Sequence, residues 1–113
     1  MNLGYYQEQA CSTAIYPEAG THNFQGLVYC ALKLAGEAGE VAQHIGKAIR
    51  DDGSHISMER EENIAYELGD VLWYIANMAN ELGLTLDNIA EMNLQKLVDR
   101  KARNVLSGSG DNR

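Results

Sequence analysis

Residues 34–45 read LAGEAGEVAQHI, and residues 64–75 read IAYELGDVLWYI. At an offset of thirty residues they match at Ala35/Ala65, Glu37/Glu67, Gly39/Gly69, Val41/Val71 and Ile45/Ile75. Glu40 of the first copy stands opposite Asp70 of the second. Each copy therefore carries two carboxylates three residues apart. Glu37, Glu40, Glu67 and Asp70 are the residues from which a function can be argued.

Both copies have helical periodicity. Ile64, Leu68, Val71, Leu72, Ile75, Met78, Ala79 and Leu82 recur at i, i+3, i+4 spacing and form one apolar stripe. Leu27, Ala31, Leu34, Val41, Ile45 and Ala48 do the same in the first copy. At about 100° per residue, Asn63, Glu67, Asp70, Tyr74, Asn77 and Glu81 form a second stripe beside the apolar one. Lys33, Glu37, Glu40, His44 and Lys47 form the matching stripe on the first helix. Each helix thus has a core face and an acidic edge.

The stretch Asp51 to Ser57 is the natural turn between them. Glu40 lies about 15 Å before Arg50, and Glu67 about 14 Å after Met58. In an antiparallel hairpin the two acidic pairs arrive at the same height. Like charges that close repel, and unpaired buried carboxylates are costly. A divalent cation resolves the conflict, and an all-oxygen ligand set suits Mg²⁺ or Mn²⁺ better than zinc. One Glu-x-x-Glu on a helix is ordinarily a solvated face. Two copies at matched faces and heights point to a site.

The length, 113 residues, corresponds to one domain. Chains this short bury a limited core, which favours oligomerisation. The net charge of −7 is unevenly spread. Residues 1–91 carry −10 and residues 92–113 carry +3. The acidic body argues against a nucleic-acid surface. Cys11 and Cys30 have no framework spacing, which suits a reducing, cytoplasmic setting. No signal peptide or membrane-spanning run is read.

Four helices are expected. Residues 2–15 form the first, ended by Tyr16-Pro17 and Ala19-Gly20. Tyr5, Tyr6 and Tyr16 either stack on a ligand ring or pack on the bundle with wet hydroxyls. Asn23 or Thr21 caps the second helix, which runs to about Arg50. Gly36, Gly39 and Gly46 within it each cost about 1 kcal/mol relative to Ala. That cost suggests close packing or close ligand approach. Ser57 caps the third helix, whose opening Glu59, Glu61 and Glu62 are accounted for by the helix dipole. Gly83 stops it. Thr85 caps the fourth, which runs to about Arg103 with Ile89, Met92, Leu94, Leu97 and Val98 facing inward. Asn93, Lys96 and Arg100 share its outer face. They suit either a phosphate or the helix dipole. His44 suits either an outer-shell place beside Glu40 or a structural one. The core spans about residues 25–103, and residues 104–113 read as a flexible tail.

The pair E-x-x-E then E-x-x-D, here Glu37-Ala38-Gly39-Glu40 and Glu67-Leu68-Gly69-Asp70, resembles the all-α, MazG-like nucleoside triphosphate pyrophosphohydrolases. The likeness extends through ELGDVLWY and NLQKLVDR. It implies an all-helical subunit, assembled as a homodimer or homotetramer. It implies Mg²⁺-dependent cleavage of an NTP or dNTP to NMP and diphosphate. Glu37, Glu40, Glu67 and Asp70 would be metal ligands and the catalytic set. Lys96 and Arg100, with Asn93 on their face, would meet phosphates. Trp73, Tyr74 and Asn77, beside or on the acidic stripe, suit contact with a nucleobase, and Trp73 suits an interface core equally. Many members carry an extra acid immediately before the first motif, and here that place is Gly36. The water would then be activated by Glu37 itself or by metal-bound hydroxide. Three other readings remain open: a di-iron bundle, which lacks its Glu-x-x-His pairs here, a non-catalytic nucleotide or metal sensor, and a plain oligomerisation domain.

Overall fold

The computed structural model describes residues 1–113 and contains four helices and no strand. They are α1 (Leu3–Ser12), α2 (Phe24–Asp51), α3 (Met58–Glu81) and α4 (Leu86–Ala102). Each begins where a polar side chain caps a free backbone N–H. Asn2 accepts from Tyr5 at 2.8 Å, Asn23 from Gln25 at 3.2 Å, Ser57 from Arg60 at 3.1 Å and Thr85 from Asn88 at 3.1 Å. At the end of α3, Gly83 adopts φ +72°, and the Leu84 amide turns back to the Ala79 carbonyl at 2.9 Å. This left-handed C-terminal turn is the one glycine permits without strain. No helix is long and apolar enough to cross a membrane.

α2 and α3 share the most extensive interface. Asp52 meets Arg60 beside the turn, His44 meets Glu67 further along, and Glu81 lies against Gly26 at the far end. α1 packs on α3, and α4 packs mainly on α1. The buried core is small and alanine-rich: Ala10, Ala76, Ala79 and Leu86, flanked by Tyr6, Trp73, Ile75 and Ile89. Gln7 is buried among them and joins three helices. Its amide nitrogen donates to the carbonyls of Ala76 (3.3 Å) and Leu84 (3.0 Å), and its oxygen accepts from the Leu86 amide (3.0 Å). A buried amide costs stability unless bonded in this way.

The apolar faces are less covered than the periodicity implies. Met92, Leu94, Leu97 and Val98 of α4 are exposed rather than inward-facing. The reason is that α4 rests on α1 through its first turns, and no other element covers its far side. Leu68 and Leu72 of α3 and Ile45 of α2 are also exposed. The accessible surface is 7817 Å². That is roughly 1,700 Å² above the ~6,100 Å² of a folded monomer of 12.4 kDa. The radius of gyration is 16.8 Å, against about 13 Å for a compact chain near this length.

One buried carboxylate fixes the α1–α2 connection. Glu81, 5% exposed, accepts from the Tyr16 hydroxyl at 2.7 Å, the Gly20 amide at 2.5 Å and the His22 amide at 3.0 Å. Tyr16 is thus held by Glu81, with its hydroxyl bonded rather than wet. Gly26 is required here, because a Cβ would lie 2.8 Å from the Glu18 carbonyl oxygen and 3.2 Å from the Glu81 carboxylate. Burial pushes the Glu81 carboxyl up, but the Tyr16, Gly20 and His22 donors outweigh it and hold it below the ordinary value. A lowered carboxyl stabilises the fold above its unfolded pKa, and that contribution fades as pH falls through the folded value. Glu81→Ala strands three donors and is expected to cost about 3 kcal/mol, read as a shift of the urea midpoint. The variant's deficit should shrink on acidification, and an equal midpoint for the two proteins at neutral pH would contradict this role.

Candidate metal centre

Halfway along the α2–α3 interface, carboxylates from the two repeats meet. Glu37, Glu67 and Asp70 each place one oxygen within 4.8 Å of the others. Helix periodicity puts Glu67 and Asp70 on one edge of α3, three residues apart, and the packing of α2 brings Glu37 to them. Glu37 and Glu67 are half-buried and Asp70 is exposed. Glu40 is exposed and stands outside this trio. It lies about 4.5 Å further along α2, toward the turn that Asp52 and Arg60 close.

The electrostatics record the crowding. Partial burial, then the charges of Asp70 and Glu67, raise the Glu37 carboxyl above the ordinary range, and Lys33 offsets only part of this. Tyr74 is also raised, by burial first and then by Tyr29 and Glu37. Tyr6 is raised by burial and then by Asp70, so α1 borders the site too. Three oxygens of one charge type within 4.8 Å match the span of an octahedral cation site, where opposite ligands lie about 4.2 Å apart at ~2.1 Å bonds. The donor set is all oxygen, which suits Mg²⁺ or Mn²⁺. The residues present therefore fit such an ion.

An aromatic group adjoins the acids. Trp73 packs edge-on against Tyr74 at 4.8 Å and against Tyr16 at 6.2 Å, and Tyr16 stacks on Tyr29 at 5.4 Å. The Trp73 indole N–H donates to the Thr13 hydroxyl at 2.8 Å. Asn77 is only 1% exposed. It donates to the Trp73 carbonyl at 3.1 Å, and its Oδ1 has no partner. The basic residues lie elsewhere, on α4. Asn93 and Lys96 border a shallow hollow with Leu84, Ile89 and Met92. Lys96 Nζ pairs with Asp111 at 3.1 Å. Arg100 is buried under the chain's end, donating to the Asp111 carbonyl at 3.0 Å and facing the Asp111 carboxylate at 3.4 Å.

The structure thus gathers Glu37, Glu67 and Asp70 with Trp73 nearby, and holds Asn93, Lys96 and Arg100 on a separate helix. Sequence reasoning did not single out Arg60 and Asp52, which join His44 on the rim of the site. His44 faces Glu67 of α3 rather than Glu40 of its own helix. Nor do Gly36, Gly39 and Gly46 answer to close packing within the chain, since a Cβ at each would meet nothing within 4 Å.

The family model of the MazG nucleotide pyrophosphohydrolase domain matches residues 25–105. The chain is also similar to the Gene 37 protein of Mycobacterium phage L5, 46% identical over 114 aligned residues that cover 100% of both chains. No solved structure matches it.

The crowding has a measurable consequence for the metal-free protein. A carboxyl with a raised folded pKa favours the fold when protonated, and that advantage is lost as pH rises through the folded value. Glu37→Gln in EDTA should therefore raise stability at neutral pH by roughly 0.5 kcal/mol, the size of one surface like-charge contact. The gain should vanish at a pH low enough to protonate the wild-type carboxyl. Thermal melts at both pH values check this, and a lower neutral melting temperature in Glu37→Gln would contradict it.

Proposed function

The chain belongs to the MazG nucleotide pyrophosphohydrolase domain family, and on that footing we propose that it hydrolyses a nucleoside triphosphate to NMP and diphosphate. The observation that carries this reading is the meeting of acids from both repeats within 4.8 Å. In this reading 1–113 is a single domain, α2 and α3 are an antiparallel pair, and the site opens along their seam. Glu37, Glu67 and Asp70 would hold Mg²⁺, or Mn²⁺ in its place, and Glu40, outside the trio, would have to swing in to join them. The bound ion would supply charge neutralisation and Lewis acidity at the phosphates.

The chain's own groups then divide the work. Water attacks the α-phosphorus, the bond to the α–β bridging oxygen breaks, and diphosphate departs with that electron pair. Glu37, the member of the trio that α2 contributes, would take the water's proton. This assignment removes the need for an acid at Gly36. Lys96 and Arg100 neutralise charge on the departing diphosphate, with Asn93 beside them. Reaching a substrate would require them to exchange Asp111 for phosphate. Trp73 and Asn77 border the nucleobase. The setting proposed is cytoplasmic, with no nucleic-acid or membrane partner.

Assembly as a homodimer or homotetramer belongs to the same proposal. The surface excess of roughly 1,700 Å² is enough for about two interfaces of ~800 Å² per partner. Light scattering after gel filtration is expected to return twice or four times 12.4 kDa, and a monomer at micromolar concentration would oppose this part.

The activity is tested with a panel of NTPs and dNTPs, with and without Mg²⁺, and the products separated by chromatography. NMP plus diphosphate is expected, lost in EDTA. Glu67→Ala should lower turnover by about 10³-fold or more, the scale at which acid–base and electrostatic assistance are removed together. Lys96→Ala should chiefly raise KM. A folded, fully active Glu67→Ala protein would overturn the metal assignment. NDP plus phosphate as products would move the scissile bond.

A further inference from the structure

A chain of polar contacts runs from the α2–α3 turn into the acidic cluster. Asp52, the residue that closes α2, accepts from Arg60 Nη2 at 2.9 Å and Nε at 3.1 Å. Arg60 Nη1 lies 3.4 Å from His44 Nδ1. His44 Nε2 in turn lies 3.6 Å from Glu67 Oε1. None of the four side chains is more than 29% exposed. The Arg60 backbone is fixed as well, because its N–H donates to the Ser57 cap.

The donor chemistry gives this chain a direction. A guanidinium has five donors and no acceptor. The His44 nitrogen that faces it, Nδ1, is therefore the acceptor. The proton of the neutral ring then sits on Nε2, which points at Glu67. The tautomer of an imidazole is set by the bond its other nitrogen makes. No backbone amide donates to Glu67. Its remaining neighbours are Glu37 and Asp70, which repel it. The contact at 3.6 Å is within ion-pair range and somewhat longer than a hydrogen bond.

We infer that His44, held in its Nε2–H form by Arg60 and Asp52, is a positioning residue that orients the Glu67 carboxylate toward the cation. The inference rests on the metal reading proposed above. It gives the α2–α3 turn a part in that site beyond closing the hairpin. Carboxylate ligands need such outer partners, whose loss typically lowers metal affinity about 10- to 100-fold.

Two substitutions at His44 separate positioning from mere structure. Gln places its amide nitrogen near the site of Nε2 and keeps a donor for Glu67. Asn reproduces only the Nδ1 side, so it stays in contact with Arg60 and falls short of Glu67. The probe is Mn²⁺, titrated into metal-free protein and followed by electron paramagnetic resonance. Circular dichroism melts in EDTA accompany each variant. His44→Asn is expected to weaken Mn²⁺ binding about 10-fold or more, while His44→Gln retains most of it. A structural role would lower both variants' apo melting temperature and Mn²⁺ affinity in parallel. Wild-type affinity in His44→Asn, or equal loss in both variants, would overturn the inference. Arg60→Met leaves His44 in place and provides a second route: weaker Mn²⁺ binding supports the chain, and unchanged binding overturns it. Glu67→Ala is run alongside. Undiminished Mn²⁺ binding there would overturn the metal reading itself, and the inference with it. Loss of binding in Glu67→Ala with wild-type binding in His44→Asn would overturn the inference alone.

Discussion

Mutual repulsion among Glu37, Glu67 and Asp70 is the constraint that the rest of the fold must contain. The three carboxylates sit midway along the seam of the two longest helices. At that height the one polar contact that draws the helices together is His44 with Glu67, at 3.6 Å. The seam is otherwise secured at its two ends. At one end Arg60 binds Asp52 across the turn. At the other, Glu81 draws in Tyr16, Gly20 and His22. Two polar anchors far apart hold a strained middle in register, which permits the centre to keep charges that destabilise it.

Glu81 and Glu37 show how environment assigns roles to one residue type. Both lose water. Glu81 receives three donors, and its carboxyl is held low. Glu37 receives the charges of other acids, and its carboxyl is pushed up. The first is satisfied and structural. The second is unsatisfied by the protein, and an unsatisfied carboxylate beside two more is what a cation would complete. The distinction does not depend on burial alone, because the more buried of the two is the one with the lowered carboxyl.

Helix positions were legible because their determinants are local. Asn23, Ser57 and Thr85 act as caps, and Gly83 ends α3 with positive φ. The acidic pairs were legible because a repeat places them at equal heights. What escaped depends on contacts distant in sequence. Glu81 reads as one more member of an acidic stripe, since its donors lie 59 to 65 residues earlier. Gly26 looks like an ordinary helix glycine until Glu18 and Glu81 close around it. His44 is near Glu40 in sequence, yet packing hands it to Glu67. Periodicity identified the apolar side of α4 but could not say whether the chain owns anything to cover it.

That uncovered surface and the open glycines bear on each other. Gly36, Gly39, Gly46 and Gly69 occupy helix interiors, where each costs about 1 kcal/mol relative to Ala. Within the chain nothing approaches the place of their missing Cβ atoms, so internal packing does not offset this cost. Exposed Ile45, Leu68 and Leu72 lie on the same two helices. Both features make sense on a surface meant to be approached closely by something outside the subunit. The proposed substrate would come to the acidic edge, and a second copy to the apolar one.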